Sequence, residues 1–241
     1  MATTLTCKLK NRETLAEGTM GFYFEKPAGF QFMAGQYMDL TLVEPPETDA
    51  EGNIRSLSIA SAPEEDQLLF ATRMRDTAFK RFLRSAAIGT PVKMEGPMGS
   101  FTLHKNISKP AVFLAGGIGI TPFSSIIRHA AKARLPHRLY LFYSNRRPED
   151  AAFMDKLKQL ENENPNYKLI PSMSEMNKSA QKWNGETGFI NREMLTRHLP
   201  SLQGPIYYIA GPPAMVAAMR QMLAAASVDE DDIRTEEFAG Y

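Results

Sequence analysis

The stretch "LAGGIGITPF", Leu114 to Phe123, sets Gly116, Gly117 and Gly119 between an apolar run and a helix-like segment. Glycines at such a corner let backbone N–H groups approach a phosphate, and the dipole of the following helix favours its negative charge. Gly117 and Gly119 fit the first two glycines of a dinucleotide-binding turn, with Pro122 standing where a third would be. Thr121 reads as the helix N-cap and Pro122 as the first helical residue, where a missing N–H leaves nothing unpaired. A turn serving packing alone would use the same glycines. A second turn, "YYIAGPPAMV", offers Gly211, Pro212 and Met215 in a similar setting. Two strand ends of this kind would line the carboxyl edge of one parallel sheet, where such sheets bind ligands.

Other chemistries find little footing. Cys7 is the only cysteine, so neither an intrachain disulfide nor a cysteine-held iron–sulfur cluster is expected, and a reducing compartment fits. His104, His129, His137 and His198 are scattered without metal-ligand spacing, and no metal is expected. No Ser-His-Asp arrangement is readable. A formal net charge of +1 gives no basic field for nucleic acid. The apolar run "AVFLAGGIGITPF" is broken by glycines and proline and is too short to span a bilayer. The expectation is a soluble, cytoplasmic monomer with no nucleic-acid or membrane partner.

The elements that would carry these turns change character along the 241 residues. In the first half, "YMDLTLV", "RSLSIAS", "QLLFATRM" and "PVKMEG" read as short strands between turn-rich pieces, which suggests an antiparallel barrel. One helix is expected at "TAFKRFLRSA", with Phe79, Phe82 and Leu83 on one face. The polar "HKNISKP" reads as a linker. After it, "AVFLA", "RLYLFYS", "YKLIPSM" and "PIYYIA" alternate with helical segments, the pattern of a parallel sheet wrapped by helices. Two domains are predicted: a barrel over residues 1–106 and an α/β nucleotide-binding domain over 107–241.

Taken together, "AGGIGITP" and "AGPPAM" resemble the two pyridine-nucleotide motifs of the ferredoxin–NADP reductase superfamily. "RSLS" (Arg55 to Ser58) resembles its flavin motif Arg-x-Tyr-Ser, "FMAGQYMDL" its Ala-Gly-Gln strand, "EGPMGSF" its Gly-Pro-x-Gly-x-Phe turn, and "EEFAGY" its aromatic-bearing last strand. The resemblance covers nearly the whole chain in the right order. It implies a flavin-binding barrel followed by a nicotinamide domain, with FAD (or FMN) as cofactor and NADPH or NADH as hydride donor.

Residue by residue, the resemblance implies that Arg55 and Ser56 hold the flavin phosphate side, that Leu57 covers the ring in place of the family's tyrosine, and that Ser58 bonds near flavin N5. Thr72, Arg73 and Met74, with the helix start at Thr77 and Ala78, would flank the flavin phosphates. Gly116, Gly117, Gly119, Thr121 and Pro122 would hold the nucleotide diphosphate, and Gly211, Pro212 and Met215 the nicotinamide end. Ala210 replaces a cysteine often found there. Ser144, Arg146 and Arg147 in "YSNRRPED" would meet the adenosine, the arginines leaning towards NADPH, with Ser174 a lesser candidate. Phe238 and Tyr241 would cover the flavin. Glu236 or Glu237 would relay a proton, Glu237 being taken as the acid. The implied activity is an NAD(P)H-dependent flavoprotein reductase that passes electrons to a separate protein or small-molecule acceptor. The competing expectation is a catalytically weak flavin-binding regulatory module, favoured by Leu57 and Ala210.

Overall fold

Met38, Leu40 and Leu42 are buried while their neighbours are not, and Val92, Met94 and Gly96 alternate in the same way. Such alternation makes strands with one face in a core. The computed structural model describes residues 3–238 and contains six such strands in its first half. They are β1 (Thr3–Ala16), β2 (Thr19–Glu25), β3 (Tyr37–Leu42), β4 (Ile54–Ser58), β5 (Gln67–Arg73) and β6 (Pro91–Met98). All pair antiparallel in the order β4-β3-β6-β1-β2-β5. A bridge between Ile59 and Phe70, with Ala60 N–H bonded to Leu69 O at 2.7 Å, joins the two edges into a barrel. The β1–β2 hairpin was not foreseen: Cys7, Leu9, Phe22 and Phe24 point inward and are buried, but Met20 and Tyr23 are half-exposed, so no clean alternation of apolar residues marks it. Helix α1 (Ala78–Ser85) buries Ala78, Phe79 and Leu83 against the barrel.

The second half alternates strand and helix as expected. Its strands are β7 (Ala111–Gly116), β8 (Leu139–Asn145), β9 (Tyr167–Met173), β10 (Glu186–Thr187), β11 (Ile206–Gly211) and β12 (Ile233–Glu237). They form one parallel sheet in the order β10-β9-β8-β7-β11-β12. Helices α2 (Ile120–Lys132), α3 (Met154–Glu163), α4 (Arg192–His198) and α5 (Pro213–Ala225) connect them. β7 and β11 are buried throughout, as central parallel strands covered on both faces must be. The two-residue β10 was not foreseen; it is too short to carry a pattern.

Helix α2 joins the halves. Its Ser124 and Ser125 hydroxyls donate to the barrel carbonyls of Ala60 and Ser61, at 3.0 and 2.7 Å. Phe101, just past β6, packs its ring 5.6 Å from both Phe123 of α2 and Tyr208 of β11. The stretch expected as a plain polar linker is instead a fixed joint. His104 is buried, its backbone N–H donates to the Tyr208 hydroxyl at 2.9 Å, and Arg234 of β12 donates to the same oxygen at 3.1 Å. Burial, opposed by a bond to the Lys109 carbonyl, holds the His104 imidazole below its usual range.

Candidate active site

β4, β5 and α1 of the barrel face the turn after β7 across a recess. Its walls include Arg55, Ser58, Thr72, Arg73, Ile118 and Phe238. A second recess, about 720 Å³, opens over the carboxyl ends of β7, β8 and β9 and the start of α5. Arg73 lines both, and the tight turn Gly117–Gly119 stands between them: Gly117 faces the second recess and Ile118 the first.

The first recess is cationic. Arg55, Arg73, Arg75 and Lys80 all line it, with Glu51 the one acid among the lining residues. Burial, then the charges of Arg75 and Arg55, push the Lys80 ammonium below its usual range, against the pull of Glu51. Like charges gathered this closely are unfavourable unless an anion joins them, so the lining fits a ligand carrying phosphate. Arg55 lies 5.1 Å over the Phe79 ring, bonds Glu51 Oε2 through Nη2 at 2.8 Å and uses Nη1 on loop carbonyls. Ser58 and Thr72 are buried in the recess wall. Leu57 lines the recess while packing on the barrel core, and Ser56 donates its hydroxyl to Asp39 of β3.

Several donors expected to be free are already engaged. Met74 lines neither recess; it packs on the barrel core, and its N–H bonds Gly18 O at 2.7 Å, because this residue still follows the β2 edge. Thr77 caps α1, its hydroxyl accepting from Lys80 N–H, and its own N–H bonds Arg75 O at 3.0 Å. The Ala78 N–H donates to Asp49 Oδ2 at 2.6 Å.

The glycine turn departs from expectation at its helix start. Gly117, at φ +53°, opens a turn of 3₁₀ helix, and α2 begins at Ile120, one residue before Thr121. Thr121 is therefore helical rather than the N-cap; its hydroxyl donates back to Ile118 O at 3.1 Å, and its side chain lines the first recess. Pro122 sits in the first helical turn, where no N–H is needed, buried and lining neither recess. Gly119 also lines neither; a Cβ there would stand 2.2 Å from Ala210 O, so its lack of a side chain lets the turn press against β11. At Gly116 a Cβ would meet Met215 Sδ at 2.3 Å. Gly116, Gly117, Pro212 and Met215 all line the second recess, and Gly211 packs behind them on Gly116.

At the far end of that recess stand Ser144, Arg146 and Ser174, as expected, together with Asn145, Glu175, Phe189 and Ile190, which were not foreseen. Asn145 is buried, with neither amide atom hydrogen-bonded to any described residue. Phe189 is 76% exposed, the most exposed of the large apolar residues described. Neither announces itself in sequence, since an Asn at a strand end and a Phe after a glycine are both ordinary. Arg147 lines neither recess. Asp150 holds its guanidinium through Nε and Nη2 at 3.0 and 2.9 Å, and Glu17 accepts from Nη2 at 2.9 Å, so it joins the halves instead.

On the C-terminal strand the two adjacent acids differ in shelter, and neither lines a recess. Glu237 is exposed on β12, whereas Glu236, opposite Ala210, is half-buried with Oε2 lacking a partner among the described residues. Burial pushes the Glu236 carboxyl up to about 7. Phe238 donates its N–H to Gly211 O at 3.0 Å, which holds its ring in the first recess beside the glycine of β11. Tyr241 lies outside the described residues. Among the described residues no group of three or more His, Cys, Asp or Glu is placed to hold a metal ion, and no helix is long and apolar enough to cross a membrane.

The profile of the oxidoreductase NAD-binding domain family matches residues 113–221. The anthranilate 1,2-dioxygenase electron transfer component of Acinetobacter baylyi is 30% identical over 210 residues, covering 86% of this chain and 58% of that protein. The reductase component of Rhodococcus jostii propane 2-monooxygenase is 26% identical, covering 88% of this chain and 57% of that protein. The chain thus spans somewhat over half the length of these relatives. Among solved structures, the Amycolatopsis cytochrome P450 reductase GcoB superposes with a TM-score of 0.83 at 25% identity, over 98% of this chain and 70% of that one. A Neisseria gonorrhoeae ferredoxin NADP+ reductase with bound FAD and NADP superposes with a TM-score of 0.80 at 21% identity, over 97% of this chain and 98% of that one.

Proposed function

Since the chain belongs to the ferredoxin–NADP reductase superfamily, we propose that it is an NAD(P)H-dependent flavoprotein reductase. FAD in the first recess would take hydride from a reduced nicotinamide dinucleotide and release electrons to a separate acceptor. The observation that carries this reading is the common wall: Arg73 and the Gly117–Gly119 turn border both recesses, so ligands in the two would lie edge to edge. Alignment of that kind is what hydride transfer needs most from a protein.

The chain's own residues divide the work. Arg55, Arg75 and Lys80 offer charge to the flavin phosphates, and FAD suits a cradle with this many cations. Ser58 and Thr72 offer hydroxyls deeper in the recess. Phe238, tethered to Gly211, would cover the face of a flavin ring held in this recess. Glu236, carrying a proton up to about pH 7, stands on the strand beside this place and can exchange it. In the second recess the glycine turn would hold the diphosphate, and Ser144, Arg146 and Phe189 at its far end would meet the adenosine. Arg146 has no ion pair among the described residues and favours a 2′-phosphate, making NADPH the donor.

The reading includes a domain boundary at residues 106–107, inside the stretch between β6 and β7, and a cytoplasmic monomer whose single cysteine is buried. The acceptor is a soluble partner; the relatives named above are components of oxygenase systems, which supports an oxygenase component in that role. The relatives' reductase names give the regulatory alternative no support. An anaerobic titration of the flavin-loaded protein with NADPH and NADH tests the proposal: the visible flavin band should bleach, and faster with NADPH. A flavin that stays oxidised with both would end it.

A further inference from the structure

The loop between β3 and β4, residues 43–53, carries Glu44, Glu47, Asp49 and Glu51. Most of it is exposed, and among the contacts that hold it, charge predominates. Asp49 Oδ2 accepts the Ala78 N–H at 2.6 Å, the first backbone donor of α1, which no carbonyl within the helix can satisfy. Glu51 Oε2 takes Arg55 Nη2 at 2.8 Å, and the Glu51 carbonyl takes Nη1 at 2.8 Å. Asp49 Oδ1 also accepts the Glu51 N–H at 3.0 Å, so the two acids move as one unit. Glu47 grips Arg81 of α1 through two bonds of 2.8 and 2.9 Å and tethers the loop from outside the recess.

Arg55 lines the first recess, the α1 start adjoins it next to Phe79 and Lys80, and both are held by carboxylates of this chain. Resting on the flavin reading of the first recess, we propose that Asp49 and Glu51 are an internal anion seated on the phosphate cradle. A flavin phosphate must displace them, and they thereby set flavin affinity. Glu51 lies on the solvent side of its pair with Arg55, where water competes for it, so the strap can open. Affinity is reduced by the fraction of molecules in which it stays closed. Exchange favours the phosphate, which brings more charge and more acceptor oxygens than a carboxylate. Arg75 and Lys80 take no carboxylate of the strap and are left to meet that extra charge.

Purified flavin-free protein, titrated with FAD and with FMN and followed by quenching of flavin fluorescence, tests this against Asp49→Asn, Glu51→Gln and the double variant. Asparagine still accepts the Ala78 N–H, so the cap survives while its charge goes. The double variant is expected to bind FAD about tenfold more tightly, and its flavin-free form to unfold at a lower temperature than wild type. A purely structural role would move both quantities the same way. Glu47→Gln, which touches neither cradle group, should raise affinity by a smaller factor. Unchanged or weaker binding by the double variant, with wild type binding FAD, overturns the strap and leaves the flavin reading standing. Quenching by none of the proteins overturns the flavin reading and the strap with it.

Discussion

The two recesses are built by different means. The first is lined by charged side chains at the ends of strands, Arg55, Arg73 and Arg75, with Lys80 from α1. The second depends on backbone and on the absence of side chains, at Gly116 in its wall and at Gly119 behind the turn, where a single carbon would collide with Met215 or Ala210. A site made of charges can be adjusted one residue at a time, and its groups find other partners meanwhile, as Arg55 does with Glu51. A site made of close approach has no such slack, because backbone cannot move aside cheaply.

That contrast sets an order of expected effects. Gly119→Ala should be the most damaging, since its Cβ would lie 2.2 Å from Ala210 O. A loss of about 3 kcal/mol in stability is expected, read by denaturant unfolding, together with loss of nucleotide binding. A fully stable Gly119→Ala protein would mean the turn is more forgiving than its geometry. Arg55→Ala should leave the fold intact and weaken FAD binding by about 2 kcal/mol, the worth of a charged hydrogen bond, measured by flavin titration.

Glu236→Gln sharpens the comparison from the C-terminal strand. The folded carboxyl at about 7 lies above its ordinary value of 4.5, so the folded state holds the proton more tightly than the unfolded one. Wild-type stability should therefore fall relative to the variant as pH rises from about 4.5, and level off above about 7. Partial exposure limits the difference to about 2 kcal/mol, and unfolding curves at pH 5 and pH 8 would show it. Phe189→Ala should raise the KM for NADPH about fivefold, the low end of base stacking for a ring so exposed, without changing the rate of flavin reduction at saturation. Arg147→Ala should leave NADPH affinity unchanged while costing some stability through the buried Asp150; a large rise in KM would return it to the binding site.

The sequence disclosed much of this architecture because the signals were local. The glycines of "AGGIGITP", the buried runs of β7 and β11, and the order of the motifs all follow from steric and apolar patterns within a few residues. Arg55, Ser58 and Phe238 line the first recess, and Gly117 and Met215 the second. What the motifs left open lies where neighbouring residues are chemically alike and only the fold tells them apart. Glu236 and Glu237 are adjacent and chemically alike, and only the register of β12 on β11 decides which is sheltered. Arg146 and Arg147 read as a pair, and only Glu17 and Asp150 show that one of them is spent.

Residue types and short spacings by themselves determined that this chain folds as an antiparallel barrel followed by a parallel sheet, with glycine turns at the ends of β7 and β11. Backbone sterics and apolar periodicity act over one or two turns of chain and need nothing further. Tertiary structure alone decided which donors are free. The Ala78 N–H and Arg147 are each claimed by a carboxylate brought in by folding, across 29 and 130 residues of sequence. Hydrogen bonds and ion pairs act through space over a few ångströms, whatever the distance along the chain, and that is why the availability of a donor had to be read from the fold.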